Sequence, residues 1–535
     1  MAVLTSYPGV YVEEIPSGVH NIAGVSTAST AFVDFFPQGP MGVATQINNF
    51  TQFQTVFGNL DQRSESSYGV MQYFLNGGQT AWIVRVASGS PAPAVLTLDN
   101  TAATATLTVT ASSPGIWGNN LQVGVDYNTV PSGLFNLVVR LVDSISKPTQ
   151  VLSSEIYRNL SMSSASPNYA IGVVNAASAL IQLTDLGTGT LPASTGSDVI
   201  SPISNPASTV YTAVSTAADP ANDGTVPNAS ALEAGIQALA RLDPYIFNIL
   251  CLPGVANLVS GGAPDTANIA AVYANAAAFC ATMRAFLLVD LPSGINSTSN
   301  TAANGVVTWL NALGSAGFEP AANAAIYFPG LIVPDPLNQG RPRNVGASGT
   351  MAGIYAATDA NRGVWKSPAG IDATIAGASL AYVMNDADSG TINPLGINGL
   401  RNFKTYGNVT WGARTMQGAD QLGSQWAYIA VRRTAYYIEE SLFEGLKWVV
   451  FEPNDTPLWS QIRLNVTSFM QNLFRQGAFQ GASAASAYFV KCDSETTTQT
   501  DINSGIVNIL VGFAPLKPAE FVVLQIQQMA GQAAS

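Results

Sequence analysis

The hydrophobic pattern is clearest in the last fifth of the chain, where helix-like spacing gives way to strand-like runs. In two stretches the apolar side chains recur every three or four residues, as one face of an amphipathic helix requires. The first stripe is Tyr428, Val431, Ala435, Ile438 and Leu442, and the second is Trp459, Ile462, Val466, Phe469 and Leu473. These stripes predict two long helices that bury one face each.

Turn and capping residues delimit the second helix, and strand-like segments come after it. Thr456 is the predicted N-cap of this helix, Pro457 its first helical residue and Gly477 its end. Three segments with the sequences AYFVKC, GIVNILVGFA and AEFVVLQIQQ then predict three strands. The last of them lies at the end of the chain and carries apolar residues on both faces, so it needs cover from another sheet.

Earlier in the chain, residues 25–87 and 231–380 alternate strand-like and helix-like segments. Runs such as AWIVRV and AFLLVD are short and continuously apolar, which favours strands that are covered on both faces. This alternation predicts one α/β domain with helices covering a mixed sheet. Residues 386–390 resemble part of a calcium loop but lack its final Glu, so we predict an ordinary turn there.

Residues 88–230 have a different character. Short runs rich in Val, Leu and Thr alternate with turn residues, and from residue 184 the chain is rich in Ser, Thr, Gly and Pro. We therefore predict an inserted, surface-facing β-rich domain with long loops. The predicted fold class is α+β and multidomain: a mixed α/β core (25–87 and 231–380), the insertion (88–230), an α/β C-terminal domain (381–517) and extended strand arms at 1–24 and 518–535.

Both arms are candidates for pairing between copies of the chain. The candidate arm residues are Val10, Tyr11, Val12, Phe521, Val522, Val523, Leu524 and Ile526. A strand at a chain end has unpaired backbone groups and can add to the sheet of another molecule. The alternative for the front segment is a frayed terminus.

Composition excludes several classes of function. The formal net charge of −12 disfavours nucleic-acid binding through a basic surface. The three cysteines, Cys251, Cys280 and Cys492, are far apart, which favours buried thiols over disulfides or a zinc site. No signal peptide and no membrane-spanning segment are expected.

The sequence also lacks the residues of an active site. Its single histidine, His20, lies in the predicted front arm, where a catalytic dyad or triad could not be held. Glu439 and Glu440 are adjacent on a helix and point about 100° apart, which argues against a catalytic carboxylate pair. Glu440 lies seven residues from Arg433 and Glu444 lies three from Lys447, so we interpret these charges as a solvated or inter-subunit network. We expect no enzymatic activity, no cofactor and no metal.

Several motifs resemble the tail sheath proteins of contractile phage tails and of related contractile injection systems. At the front these are YPGVYVEEIPSG, FTQFQTVFG and YFLNGGQTAWIVRV. At the back they are NPLGINGLRNFKTYGNVTWGARTM, RRTAYYIEESLFEGLKWVVFEPNDTPLW and FVKCDSETTTQTDINSGIVNILVGFAPLKPAEFVV. The C-terminal motifs are similar to sheaths of phage-like extracellular or cell-bound injection systems. The inserted region carries no such resemblance.

The resemblance implies a homo-oligomeric sheath of stacked hexameric rings around an inner tube, capped by baseplate and tail terminator proteins. It implies that arms join the sheets of neighbouring C-terminal domains, and that contraction of a metastable extended sheath drives the tube through a target envelope. The chain would be made in the bacterial cytoplasm and act in a phage tail or in a cytoplasmic, membrane-anchored or released particle. The alternative is a non-contractile surface protein or a secreted carbohydrate-active enzyme.

The resemblance further implies that a helix of the C-terminal domain faces the tube. We assign this role to Leu458–Gln476. The polar face of this helix is predicted to comprise Gln461, Asn465, Ser468, Asn472 and Arg475, with Arg463 on its flank. The alternative is an ordinary solvated helix face.

Overall fold

A computed structural model describes residues 20–215 and 220–526. The chain divides into two compact units. The sheet unit comprises Ala28–Ala357 and Ala369–Gly423, and the C-terminal unit comprises the described residues up to Thr27, Thr358–Pro368 and the residues from Ser424 onward. The protein is thus a multidomain chain of mixed α and β structure, as predicted.

Twenty strands of the described chain fall in the sheet unit. In chain order they are β1 (Thr30–Asp34), β2 (Thr45–Ile47), β3 (Ala81–Arg85), β4 (Val95–Asp99), β5 (Ala105–Ala111), β6 (Leu121–Asp126), β7 (Phe135–Val142), β8 (Val151–Leu160), β9 (Ile181–Asp185), β10 (Thr212–Ala213), β11 (Ile249–Cys251), β12 (Val259–Ser260), β13 (Ala263–Pro264), β14 (Phe286–Val289), β15 (Ala324–Phe328), β16 (Leu331–Asp335), β17 (Arg341–Val345), β18 (Ser379–Leu380), β19 (Ile397–Phe403) and β20 (Gly407–Thr410). The helices are α1 (Phe50–Phe57), α2 (Glu65–Leu75), α3 (Ala170–Ala177), α4 (Ala229–Ala238), α5 (Thr266–Thr282), α6 (Val306–Ser315), α7 (Ser348–Arg362, whose residues from Thr358 belong to the C-terminal unit) and α8 (Asp386–Ile392).

The centre of the sheet unit is an eight-stranded sheet in the order β2-β3-β1-β11-β14-β15-β19-β20. Its six inner strands are parallel, and the edge strands β2 and β20 are antiparallel. β1, β3, β14 and β15 are buried along their whole length, because helices cover the sheet. Leu232, Val272 and Leu313 of α4, α5 and α6 enter its main apolar core.

The predicted start of the C-terminal domain at residue 381 is wrong. β19 and β20 complete the eight-stranded sheet, so the chain up to Gly423 belongs to the sheet unit. These two strands are short and rich in Gly and Asn, and β19 forms because its backbone pairs with the distant β15. The predicted turn at residues 386–390 is also wrong: it begins α8, whose N-cap Asn385 forms a capping box with Asp388.

The inserted region forms two sheets of its own between β3 and α4. One has the order β4-β5-β9 and the other β10-β6-β7-β8. Val109, Val123, Val139 and Leu183 contribute to one core between them. The hydrophobic pattern predicts β4 to β7 but not β8, α3 and β9. β8 has the sequence of a loop because it carries consecutive Ser and Glu residues, and it is a strand because β7 supplies a backbone partner along its length.

Two buried carboxylates lie at the carboxyl ends of inner strands of the eight-stranded sheet. Asp34 ends β1 and accepts hydrogen bonds from the backbone N–H groups of Phe35 and Ser66 at 2.8 and 2.9 Å. Asp290 follows β14 and accepts from the backbone N–H of Ser348 at 2.8 Å and from its hydroxyl. Burial raises the pKa of each carboxyl to about 6, although these hydrogen bonds oppose the shift.

We expect these two carboxylates to make the sheet unit more stable as the pH falls from 7 to 5. A pKa of about 6 in the folded chain exceeds the ordinary value of 3.8, so the folded state binds protons more tightly than the unfolded state. The contribution is complete below the unfolded pKa and is lost as the pH rises through 6, and it amounts to about 1 kcal/mol per group between pH 7 and pH 5. Urea unfolding at both pH values checks this.

Asp34→Asn and Asp290→Asn provide the comparison for that measurement. Each substitution should reduce the stability gained between pH 7 and pH 5 by about 1 kcal/mol. Asp143 is exposed, and hydrogen bonds from Thr149 lower the pKa of its carboxyl, so Asp143→Asn is the matched control that should not reduce the gain. Equal gains in all four proteins would contradict the assignment.

Among its described residues, the C-terminal unit contains two long helices, two short helices and a two-stranded sheet, besides the end of α7. Its elements are α9 (Ile429–Gly445), α10 (Thr456–Arg475), α11 (Ala484–Ala487), β21 (Tyr488–Lys491), α12 (Gln499–Asn503) and β22 (Leu510–Phe513). The predicted stripe of the second helix is confirmed, since all five of its residues are buried in the core of this unit. The helix begins one residue earlier than predicted: Asp455 is the N-cap, and its carboxylate accepts from the backbone N–H of Leu458.

All three cysteines are buried free thiols, as predicted. Within the described ranges, no helix combines the length and the apolar character needed to cross a membrane.

Candidate assembly surfaces of the C-terminal unit

The described front segment lies along helix α9. Val25 donates its backbone N–H to Ser441 Oγ at 3.2 Å, and the His20 ring stacks on Trp448 with 4.2 Å between ring centroids. A Cβ on Gly445 would come within 2.6 Å of Ile22, so the absence of a side chain at Gly445 makes room for this segment. The predicted arm residues Val10, Tyr11 and Val12 lie outside the described residues.

A buried ion pair holds the same segment at its other end. Arg433 of α9 donates to both carboxylate oxygens of Asp359 at 2.9 and 2.6 Å, and also to the carbonyl oxygen of Thr27 at 2.8 Å. Both side chains are 4% exposed. The predicted solvated or inter-subunit network around Arg433 is therefore wrong: this arginine serves the interior of its own unit, and Glu440 is buried as well.

The two-stranded sheet is antiparallel and small. β21 pairs with β22 from Tyr488 opposite Phe513 to Lys491 opposite Leu510. Among the described residues these two strands pair only with each other, so the sheet has two open edges. Val490, Val511 and Phe513 pack against the core of the unit. An isolated pair of strands is marginally stable, and its open edges can accept further strands.

After β22 the chain runs on to Glu520, and its described residues beyond Glu520 are exposed to solvent. Glu520 accepts a hydrogen bond from the hydroxyl of Tyr428 at 3.2 Å, at the start of α9. Beyond it, residues 521–526 form no strand, and their five apolar side chains are exposed. The exposed fractions are 74% for Phe521, 88% for Val522, 81% for Val523, 80% for Leu524 and 85% for Ile526. The predicted final strand is thus not formed within the described chain, where residues 521–526 pair with no other strand.

The outer face of α10 is mostly polar. Of the predicted tube-facing residues, Gln461, Asn472 and Arg475 are exposed, as is Ser468. Arg463 is half-buried on the flank, where its guanidinium donates to the carbonyl oxygen of Cys492 and to Ser460 Oγ. The helical periodicity places Asn465 on this face, but it is buried beside Val466, because the helix core is wider than the five-residue stripe.

The sequence did not predict several of the exposed apolar residues of this unit, and Leu464 and Phe451 are two of them. Leu464 lies among the polar residues of the outer face of α10 and is 57% exposed. Phe451, in the loop before α10, is fully exposed. The signal for Leu464 is present in the sequence, because it stands three residues after Gln461 and four before Ser468 and so shares their face. The hydrophobic pattern alone holds no comparable signal for Phe451.

These surfaces have the chemistry of assembly. No group of acidic, histidine or cysteine side chains among the described residues could hold a metal ion. The exposed features available for assembly include the backbone edges of the two-stranded sheet, the apolar segment 521–526 and the polar face of α10 with Leu464. Backbone edges and extended segments pair with each other through main-chain hydrogen bonds and tolerate many sequences.

Comparison with known proteins agrees with this assignment. Residues 421–529 match the model of the phage tail sheath C-terminal domain. A putative prophage major tail sheath protein of Pseudomonas aeruginosa (strain UCBPP-PA14) is 26% identical over 183 residues, 33% of this chain and 44% of that protein. The tail sheath protein of Vibrio phage KVP40 is 28% identical over 188 residues, 34% of this chain and 26% of that protein. The matched region thus spans less than half of either relative.

Solved sheath structures share the fold over nearly the whole chain. The sheath of the PVC extracellular contractile injection system in its contracted state has a TM-score of 0.56 at 20% identity, covering 98% of this chain and 99% of that one. A sheath tail protein from Listeria innocua has a TM-score of 0.57 at 14% identity, covering 92% and 96%. By the sequence of its C-terminal unit and by the fold of almost its whole length, the chain is similar to the sheath proteins of phage tails and contractile injection systems.

Proposed function

We propose that the chain is the structural subunit of a contractile sheath. It polymerises as stacked hexameric rings around an inner tube, and it contracts to drive that tube through a target envelope. The observation that carries this proposal is the combination, among the described residues of one unit, of a sheet whose two edges pair with no further strand and an exposed apolar segment. Each copy offers what another copy lacks, so growth can continue from subunit to subunit.

The arms link neighbouring copies in this proposal. The segment from Phe521 onward, and the front arm containing Val10 to Val12, add to the edges of β21 and β22 in adjacent subunits. Three or more strands with an apolar face are stable where two are marginal, so strand addition stabilises both partners. Main-chain hydrogen bonds at the edges can persist while the units that carry them rotate as rigid bodies.

Contraction then draws on energy stored during assembly. The extended sheath is a metastable arrangement, and each subunit releases free energy as it repacks. Baseplate and tail terminator proteins close the two ends of the sheath, and the inserted β-rich region faces outward. The proposed role is mechanical and needs no catalytic residues in this chain.

Electron microscopy of negatively stained protein tests the proposal. The purified full-length chain, alone or with its inner-tube protein, should form striated tubes or stacked rings. A population of single particles at every concentration and salt condition would contradict a sheath subunit. It would favour the alternative of a surface protein or a secreted enzyme.

The outer face of α10 is the surface that we assign to the inner tube. Gln461, Asn472 and Arg475 offer hydrogen bonds and one positive charge, and Leu464 offers a small apolar anchor. Such a mixed face suits a contact that must be released on contraction. Arg463 contributes less in this assignment, because its guanidinium already binds Cys492 and Ser460.

Arg475→Glu should weaken sheath assembly around the tube several-fold, because reversing one exposed charge changes an interface by about 1 kcal/mol. Co-sedimentation of sheath with preformed tube measures this. Lys404→Glu, the same charge reversal on an exposed turn of the sheet unit, is the control and should have no effect. Normal assembly of the Arg475 variant around the tube would refute the assignment of this face.

A further inference from the structure

Phe451 occupies a strained position that displays its ring to solvent. Glu452 donates its backbone N–H to the carbonyl oxygen of Val449 at 3.1 Å, which closes a four-residue turn. Val450, with φ −66° and ψ 129°, and Phe451, with φ 72°, have the backbone angles of a type II turn. The third position of this turn favours glycine, because a positive φ strains a residue with a side chain. Phe451 is nevertheless a phenylalanine, and it is fully exposed.

The loop that carries Phe451 is fixed on both sides. Before it, Trp448 stacks on His20. After it, Asn454 accepts a hydrogen bond from Trp459 Nε1 and donates to the carbonyl oxygen of Ile506, both at 2.9 Å. The backbone that carries Phe451 is therefore held in place and would lose little freedom on binding. Strained backbone concentrates at binding sites, and rigid aromatic side chains are common anchors in interfaces.

The same unit carries a surface of matching character. Residues that pair across an antiparallel sheet share a face, so Lys491 lies beside Leu510, and Phe489 lies two residues along on that face. Phe489 is 50% exposed and Leu510 52% exposed. Phe489 covers Gly512, where a Cβ would come within 2.2 Å of its ring. This face, Phe489, Lys491 and Leu510, is apolar with one basic residue, whose ammonium lies 3.7 Å from a carboxylate oxygen of the exposed Glu495. Phe451 is followed by the exposed acid Glu452.

We propose that Phe451 of one copy packs against the face of Phe489 and Leu510 in a second copy, where Glu452 meets Lys491. Both surfaces are apolar, and the charged residues beside them, Glu452 and Lys491, have opposite signs. The two surfaces are different parts of one chain, so the contact is head-to-tail and propagates along a polymer. It uses the face of the two-stranded sheet and leaves its edges free for the arms. The inference rests on the proposed function in that it concerns polymers of this chain.

Variants that relieve the strain in this turn distinguish a role of Phe451 in contacts between copies from a role in folding. Phe451→Gly and Phe451→Asn place residues that tolerate a positive φ in the turn and remove the ring. Both variants of the full-length chain should unfold at the same or a higher urea concentration than the natural chain. Both should require at least about tenfold more protein to polymerise, because a buried aromatic anchor is lost. Light scattering across a concentration series measures this.

Tyr406→Ala removes an exposed aromatic ring from a turn of the sheet unit and should leave polymerisation unchanged. Unchanged polymerisation in the Phe451 variants would overturn the proposal. If the natural chain itself forms no polymer, the proposed sheath function fails instead, so the two outcomes are distinguishable.

Charge exchange identifies the surface that Phe451 contacts. Glu452→Lys and Lys491→Glu should each weaken polymerisation, and the double variant should regain most of the loss because the opposite charges are restored. Loss in the single variants without recovery in the double variant would overturn the assignment of the Phe489 face.

Discussion

Replacing Arg433 by alanine is expected to lower the unfolding free energy of the C-terminal unit by about 3–5 kcal/mol, because the change leaves the buried carboxylate of Asp359 without its partner. The guanidinium binds both oxygens of that carboxylate and the carbonyl oxygen of Thr27. At 4% exposure, neither charged side chain can recover these interactions from water. Urea unfolding followed by tryptophan fluorescence measures the effect, since Trp448 and Trp459 lie in this unit.

Two further variants serve as controls for the effect of Arg433→Ala. The exposed pair of Lys447 and Glu444, also in the C-terminal unit, is joined at 2.7 Å, and Lys447→Ala should cost less than about 1 kcal/mol. The double variant Arg433→Met with Asp359→Leu should be less destabilised than either single variant, because no unpaired charge stays buried. A loss below about 1 kcal/mol in Arg433→Ala would show that the pair does not hold this unit together.

Ending the chain after Glu520 is expected to abolish polymerisation while leaving the unfolding curve of the subunit unchanged. The apolar side chains of residues 521–526 are at least 74% exposed, so removing them costs the subunit almost no buried area. The hydrogen bond between Tyr428 and Glu520 is retained. Electron microscopy for polymers and urea unfolding for stability provide the two readouts. Polymers of normal stability without this segment would contradict the arm assignment.

Proline substitution tests whether the segment binds as a strand. A proline removes one backbone N–H, and the N–H groups of successive residues in a strand point to opposite sides. Val522→Pro or Val523→Pro, whichever loses an N–H that faces the partner strand, should therefore abolish polymerisation. Val522→Ala and Val523→Ala are the matched controls and should weaken it modestly. Equal, small effects of all four substitutions would indicate a contact made by side chains instead.

Much of the local structure can be read from the sequence, because local periodicity and burial agree. The stripe from Trp459 to Leu473 is buried in α10 as its spacing predicts. The continuous apolar runs of β1, β3 and β14 are buried strands of a parallel sheet. The apolar residues near Phe521, which the sequence also singles out, are exposed in the structure.

Features that depend on distant partners could not be read in this way. β19 is a strand because β15 lies beside it, and nothing within its own seven residues indicates that pairing. Arg433 looks like a surface charge on an amphipathic helix, and only the fold brings Asp359 to it. Asn465 is a polar residue, a type usually found at the surface, but it is buried in the structure.

Residue order was therefore enough to locate the two long C-terminal helices and the continuously apolar strands. It also located the segment of exposed apolar residues near Phe521, because those properties depend on neighbours in sequence. The folded chain was needed to show where the units divide, which charges are buried, and that Phe451 stands in a strained turn facing solvent. Those properties depend on contacts between residues far apart in sequence. The identity of either residue alone does not show that its backbone will pair or that its side chain will be buried.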